Sequence, residues 1–458
     1  MKIKTIAQYG LLLGAIVSNM SGAGVSQEEA DKIGSSLTPL GAEKAGNADG
    51  SIPAWDGGLT SPPAGFNGRE YINPFAEEKP LFVITAANAD QYKEKLSAGQ
   101  MAMLKRHDTY KINVYPTHRT AVNPEEIYAA VKKNAVETDL IEGGYGISSY
   151  SLATPFPIPH GSDSEKAYQI IWNHVTRWRA GSFQRNVVQM TPLANGNFSP
   201  VKFEEQITFV TSLTDYDPDK SDPNIIFYFK QAIVSPARLA GNVLLVHETL
   251  NQVKEPRRAW VYNSGQRRVR RAPQVAYDGP GTASDGQRTS DNFDMFNGAT
   301  DRYDWKLLGK REMYIPYNTY DLSSTKHKYE DIIQPGHIDQ DLTRYELHRV
   351  WVVEANVKEG SRHIYAKRVF YVDEDTWQIA LVDHYDGRGE LWRAAEGHHM
   401  QFYDSKIAWY TAETLYDLLS GRYLVLGLSN EEPVAYKWNV KTSTRDFTPA
   451  ALRRAGKR

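Results

Sequence analysis

Tyr345-Glu-Leu-His-Arg-Val-Trp-Val-Val-Glu-Ala-Asn-Val357 opens a run of strand-like segments that decides how this chain folds. A turn at Gly360 leads into His363-Ile-Tyr-Ala-Lys-Arg-Val-Phe-Tyr-Val-Asp373. The turn Asp373-Glu-Asp-Thr376 then leads into Trp377-Gln-Ile-Ala-Leu-Val-Asp-His-Tyr385, and Asp386-Gly-Arg-Gly389 into Glu390-Leu-Trp-Arg393. Connections this short make neighbouring strands antiparallel. An antiparallel sheet with one wet face alternates apolar and polar residues. Here Val350 and Val352 occupy one parity while Trp351, Val353 and Ala355 occupy the other. Two explanations stand: a second layer over the sheet, or a sheet curled around an apolar cavity.

Working outward, strand patterns recur at 201–212, 225–234, 243–250, 257–262, 266–271, 303–308, 313–317 and 422–428. Helical periodicity is expected at 88–106, from Asn123 as cap with Pro124 at the first helical position, at 164–180, and more briefly at 291–297 and 407–418. Gly, Ser, Thr and Asp cluster in 273–302, which reads as a long functional or covering loop. Helices followed by many antiparallel strands give an α+β class. The expected architecture is a large, strongly curved antiparallel sheet, an unclosed half-barrel covered by helices from the N-terminal half. Residues 24–458 form one domain in this reading. A Gly/Pro-rich strap spans 24–82, a helical lid region 83–200, and mainly antiparallel β-structure with short helices 201–458.

Compartment is written at the start. Lys2 and Lys4 precede the short apolar run Leu11-Leu-Leu-Gly-Ala-Ile-Val17, and Ser21 with Ala23 offers a small-x-small cleavage site. Residues 1–23 therefore read as a signal peptide cut after Ala23. The run is well short of the ~20 residues that span a bilayer, and no later segment reaches that length. Cysteine is absent from the chain, which removes disulfides, thiolate metal sites, a cysteine nucleophile and the lipid-modified cysteine of a lipoprotein. A soluble periplasmic protein fits an exported, cysteine-free chain. Formal net charge is −2, so no global field attracts nucleic acid.

Catalytic signals are thin. His398 and His399 with Asp404 are the densest histidine cluster, but adjacent strand residues point to opposite faces. Asp215, Asp217, Asp219 and Asp222 start like a calcium loop, yet Lys220 stands where its glycine belongs and Ile226 where its glutamate does. There is no Gly-x-Ser-x-Gly elbow and no complete dinucleotide loop. The chain reads as non-catalytic, without cofactor or metal. Two features carry functional weight. Arg257, Arg258, Arg267, Arg268, Arg270 and Arg271 crowd around the turn Asn263-Ser-Gly265. Arginine forks suit anionic headgroups or docking partners, so Arg267, Arg268, Arg270 and Arg271 are headgroup or docking candidates. Their competing reading is a solvated hairpin. The aromatic strands nominate Phe227, Phe229, Trp260, Tyr262, Trp351, Val353 and Phe370 as cavity-lining candidates, with strand parity leaving the inward set open.

Several strings resemble a bacterial family of unknown function, DUF1329. They are Leu37-Thr-Pro-Leu-Gly41, Ile52-Pro-Ala-Trp-Asp-Gly-Gly58, Arg258-Ala-Trp-Val-Tyr262, Arg267-Arg-Val-Arg-Arg-Ala-Pro273, Asp304-Trp-Lys-Leu-Leu-Gly-Lys-Arg-Glu312, Tyr314-Ile-Pro-Tyr-Asn318 and Arg349-Val-Trp351. The resemblance covers nearly all of the mature chain. It implies a likeness to the LolA/LolB lipoprotein carriers: an unclosed barrel with an apolar cavity under helices. Its implied role is envelope transport of a hydrophobic small molecule or lipid, alongside outer-membrane β-barrel proteins and RND-type exporters. The missing lipobox cysteine and the greater length depart from LolB. The expected function is a soluble periplasmic carrier. The alternative is an adaptor with a solid core that docks on an outer-membrane β-barrel or an RND-type exporter.

Overall fold

A computed structural model describes residues 24–272, 275 and 277–456. The expected signal peptide lies outside the described residues. In chain order the strands begin with β1 (Phe82–Ile84), β2 (Ile112–Val114), the small pair β3 (Leu140–Ile141) and β4 (Gly146–Ile147), β5 (Ser182–Met190), β6 (Val201–Phe209), β7 (Ile225–Ser235), β8 (Val243–Thr249), β9 (Arg258–Asn263) and β10 (Arg268–Arg271). They continue with β11 (Tyr303–Pro316), β12 (Tyr345–Val357), β13 (Lys367–Asp373), β14 (Ile379–Tyr385), β15 (Leu391–Phe402), β16 (Ile407–Asp417), β17 (Tyr423–Leu428) and β18 (Tyr436–Trp438). All but β3 and β4 join one sixteen-stranded sheet ordered β1-β2-β12-β13-β14-β15-β16-β17-β5-β6-β7-β8-β9-β10, with β11 beside β12 and β18 beside β5. Its ladders are antiparallel apart from a single parallel bridge between Tyr345 and Val114. Among the described residues no ladder joins the two ends, so the sheet is open.

Bulges bend and twist this sheet. One breaks the register between Leu307 and Gly309, so the expected segments 303–308 and 313–317 are one strand, β11. Another lies between Leu426 and Leu428, where Gly427 has φ +115° and a Cβ would come 2.9 Å from the Thr411 carbonyl oxygen. Only glycine fits that combination of backbone angle and close approach.

The helices are α1 (Gln27–Ala30), α2 (Ala98–Arg106), α3 (Glu125–Glu137), α4 (Asp163–Thr176), α5 (Tyr329–Ile332) and α6 (Pro449–Ala455). The expected helix over 88–106 is broken: a 3-10 segment, Ala89–Lys95, ends at extended Leu96, and Ser97 caps α2 in a capping box with Gln100. Asp383 of β14 fastens that N-terminus, accepting from Gly99 N–H at 2.8 Å and Ala98 N–H at 3.1 Å. α3 begins one residue later than expected. Pro124 stands at its cap, while the Asn123 amide donates to the Lys406 carbonyl at 3.2 Å. α4 starts in a capping box between Ser162 and Glu165 and stops at Thr176, because Arg177 is extended. The expected helix at 407–418 is instead β16, buried at every position in the middle of the sheet. Residues 291–297 hold only the 3-10 turn Ser290–Asn292. Strand β5 follows α4 where the sequence showed no strand pattern.

Both sheet faces are covered, which accounts for strands apolar on both parities. Val353 and Phe370, paired across β12 and β13, lie in the largest core cluster with α4 and Phe293, Met295 and Phe296. Val350, Val352, Val369 and Tyr371 belong to a separate cluster on the other parity. α2 packs over β14 and β15, and α6 over β8, β9 and β10. The second-layer explanation therefore holds for 345–392. The strap is pinned too. Ile52 is 1% exposed, and Trp377 Nε1 donates to the Leu40 carbonyl at 2.9 Å. Arg119 bonds the Glu43, Lys44 and Pro53 carbonyls while pairing with Asp375.

Ile171 of α4 is fully buried in the main cluster. Ile171→Ala should lower the unfolding free energy by about 2–5 kcal/mol. Chemical denaturation monitored by tryptophan fluorescence reads this directly.

Candidate functional site

Strand alternation on β7 sends Phe227, Phe229 and Gln231 to one face and Tyr228 to the other. Register carries the choice across the sheet: Phe229 pairs with Val246, Gln231 with Leu244, and Leu244 with Val261. These side chains form one wall of a cavity of 180 Å³. The covering loop supplies the other wall through Val275, Pro280, Gly281, Thr282, Arg288, Ser290, Phe293 and Asn297. Phe293 lies 4.9 Å from Phe229 ring to ring.

A buried ion cluster holds this loop in place. Asp294 accepts from Arg177 at 2.6 and 2.9 Å, from Arg179, and from Trp409 Nε1 at 2.8 Å. Its pKa is held well below the usual carboxylate range: burial opposes ionisation, but the two guanidiniums outweigh it. Next to it, Glu413 accepts from Met295 N–H at 2.8 Å. Burial, reinforced by the charge of Asp294, pushes Glu413 up to about 7.

Two arginines reach the cavity, and they differ. Arg257 is saturated, donating to Glu248 at 2.5 and 3.2 Å and to the Val275 and Asn297 carbonyls. Arg288 is 4% exposed, gives Gln189 Oε1 one bond at 3.2 Å, and leaves Nε without a partner. Burial lowers its pKa, partly offset by the fields of Glu413 and Glu205. Its guanidinium packs on Gly281, where a Cβ would sit 2.9 Å from Cζ.

Of the seven expected lining residues, the cavity gathers Phe227 and Phe229. Trp260 and Tyr262 point to the opposite face: Trp260 rests on His247, and Tyr262 is buried against Gly456 at the end of α6. Val353 and Phe370 are buried elsewhere in the core, with Phe370 between Trp305 and Phe296. Trp351 is half-buried, stacked on Trp377 and covered by the Lys310 ammonium at 4.4 Å. Arg267, Arg268, Arg270 and Arg271 are exposed on the β9–β10 hairpin, outside the cavity. Arg288, Gln231, Leu244, Val246 and Phe293 were not singled out from sequence. The composition of 273–302 was the one signal pointing to that wall.

A wider groove of 530 Å³ runs beneath Asn67 to Tyr71, but Arg69, Glu70, Asp404 and Glu432 line it beside Tyr71, Tyr436 and Trp438, so it is a wet cleft. His398, His399 and Asp404 do not converge. His399 stacks on Tyr317, while Asp404 accepts from Tyr71. Metal-type ligand atoms do approach within 4.8 Å at His348, Asp373 and Asp375. Arg119 occupies both oxygens of Asp375, so a cation there would compete with a guanidinium.

The chain belongs to the DUF1329 family, described as proteins of unknown function; the family pattern matches residues 83–453. It is 61% identical over 457 residues to an uncharacterized protein of Pseudomonas aeruginosa, covering 99% of each chain. Among solved structures, a DUF1329 family protein from Desulfovibrio piger aligns with TM-score 0.44 and 16% identity, over 64% of this chain and 100% of that one. A putative outer membrane lipoprotein-sorting protein domain from Vibrio parahaemolyticus gives 0.44 and 15%, over 63% and 99%. A LolA superfamily protein from Nitrosomonas europaea gives 0.37 and 17%, over 62% and 97%.

Glu413 yields a signed pH prediction. Its folded-state pKa of about 7 lies above the ordinary 4.5. The native state thus holds more protons than the unfolded chain between those values, and this contribution to stability is lost as pH rises through that window. Glu413→Gln keeps an acceptor for Met295 and removes the titration. Relative to the parent, the variant should gain on the order of a few kcal/mol between about pH 5 and about pH 8. Parallel denaturant melts at the two pH values measure it; a constant difference would show that Glu413 does not titrate in this range.

Proposed function

We propose that this protein is a non-catalytic periplasmic carrier that takes up a small hydrophobic molecule between β7–β9 and the 275–297 loop. One observation carries the reading: an apolar-walled cavity in which Phe227, Phe229, Leu244, Val246 and Phe293 surround 180 Å³. The signal-peptide pattern of residues 1–23 and the resemblance to lipoprotein carriers support an envelope role for residues 24–458 acting as one unit. Size limits the cargo. An engineered cavity of about 150 Å³ accepts benzene, so this one suits a ring or a short acyl chain. Burying about six methylenes at about 0.8 kcal/mol each contributes about 5 kcal/mol. That corresponds to a dissociation constant of a few hundred micromolar, roughly, before ordering costs. Such binding is reversible, as carriage requires.

A second reading is an adaptor for an outer-membrane β-barrel or RND-type exporter. The exposed arginine hairpin at the sheet edge favours it, as does the filled interior around α4.

Leu244→Trp should fill the cavity and weaken binding of a fluorescent apolar probe by about tenfold or more, at a stability cost of about 1–3 kcal/mol. Native mass spectrometry of protein recovered from its own periplasm should show a small lipid-like adduct. A protein that purifies empty and takes up no probe sinks the carrier reading and leaves the adaptor.

A further inference from the structure

Eight arginines are buried in the described chain, and seven of them have a carboxylate oxygen within 3.0 Å. Arg288 is the exception: among the described residues it makes no ion pair and holds one hydrogen bond, to the neutral amide oxygen of Gln189. It is also the one of the eight that lines the cavity. Taking a charge out of water without a counter-charge costs several kcal/mol. The chain meets that cost everywhere else with an aspartate or glutamate of its own. From this contrast we propose that the cargo supplies the missing anion, so the ligand is an amphiphile with a single negative charge, a short- to medium-chain carboxylate. The proposal rests on the carrier reading and narrows it to a substrate class.

The surroundings favour one charge over two. Arg257, the other guanidinium at the cavity, is already neutralised by Glu248. Glu205 is committed to Arg185 at 2.6 Å and to the Gln231 amide, and its negative field nevertheless reaches Arg288. A phosphate dianion would bring a second charge, and among the described lining residues the remaining cation, Arg257, is already paired with Glu248. Guanidinium and carboxylate are planar and match in two-point geometry. Gln231, Ser290 and Thr282 supply further polar groups in the same lining, while Phe227, Phe229 and Phe293 supply the apolar wall. Gly281 is part of the device: any side chain there would displace the guanidinium.

Calorimetric titration of the full mature protein with octanoate, 1-octanol, octyl phosphate and octylamine separates the outcomes at constant chain length. Octanoate should bind about tenfold or more tightly than 1-octanol, the range expected for a hydrogen bond to a charged group. Octyl phosphate should be no tighter than octanoate, and octylamine weakest. Arg288→Gln should abolish the preference for octanoate over 1-octanol. The ranking on the unsubstituted protein needs no variant, so a folding defect in Arg288→Gln does not shield the proposal. Equal binding of octanoate and 1-octanol overturns the anion assignment and leaves carriage of an apolar molecule standing. Tighter octyl phosphate overturns the single-charge assignment. No binding by any of the four overturns both this proposal and the carrier reading.

Discussion

The buried carboxylate of Asp294 is the constraint on which the cavity depends. It ties the end of α4, through Arg177 and Arg179, to the central strand β16, through Trp409, and to the covering loop that carries it. Three elements distant in sequence are thereby fixed around one pair of oxygen atoms. His174 adds a contact to the Asp294 carbonyl at 2.8 Å, and Glu413 holds the next amide. A buried ion cluster of this kind is weak as a source of net stability, since desolvation offsets most of the attraction. Its consequence here is positional. Ser290, Phe293 and Asn297 are held within a few residues of Asp294, over Phe229 and Val246, so the loop forms a wall rather than a surface excursion.

Much of the sheet was legible because turn chemistry is local. Gly360, Asp373-Glu-Asp-Thr376 and Asp386-Gly-Arg-Gly389 mark the hairpins of β12 to β15 where those hairpins fall. The failures have tertiary causes. Residues 407–418 read as helix because Ala408, Ala412, Leu415 and their neighbours carry no strict alternation; a strand covered on both faces has none to show. β5 was hidden by Arg185, Asn186 and Gln189, polar residues accommodated there because Glu205 and the Val434, Thr282 and Ala283 carbonyls meet them. The same difficulty applies to the site. Phe227 and Phe229 are conspicuous in any listing of apolar residues, whereas the significance of Arg288 is the lack of a partner, a property of three dimensions.

Parity explains why Trp260 and Tyr262 left the cavity while Phe227 and Phe229 stayed. Antiparallel register sets Trp260 opposite Leu245 and Val261 opposite Leu244, so Trp260 follows Leu245 to the α6 side. A displacement of one residue would have exchanged the two sets. The arginine hairpin takes on a different meaning at the same edge. Among the described residues β10 pairs with β9 alone, leaving a row of backbone groups open. Four exposed arginines lie on and beside that strand, and charged side chains are a common means of protecting a sheet edge. Such a role requires no ligand and is compatible with docking of an acidic partner.

Head and tail contributions at the cavity are unequal in kind. The apolar wall is satisfied whether or not a ligand is present, since Phe229 and Phe293 pack against each other at 4.9 Å. The guanidinium of Arg288 is not, because no carboxylate of the described chain pairs with it directly. An empty cavity therefore leaves an electrostatic cost that the proposed anionic ligand would remove. Binding of such a ligand to the folded state alone raises its stability by linkage. In the proposed reading Arg288 awaits a counter-charge, with Gly281 giving it room and Asp294 fixing the loop on which it sits.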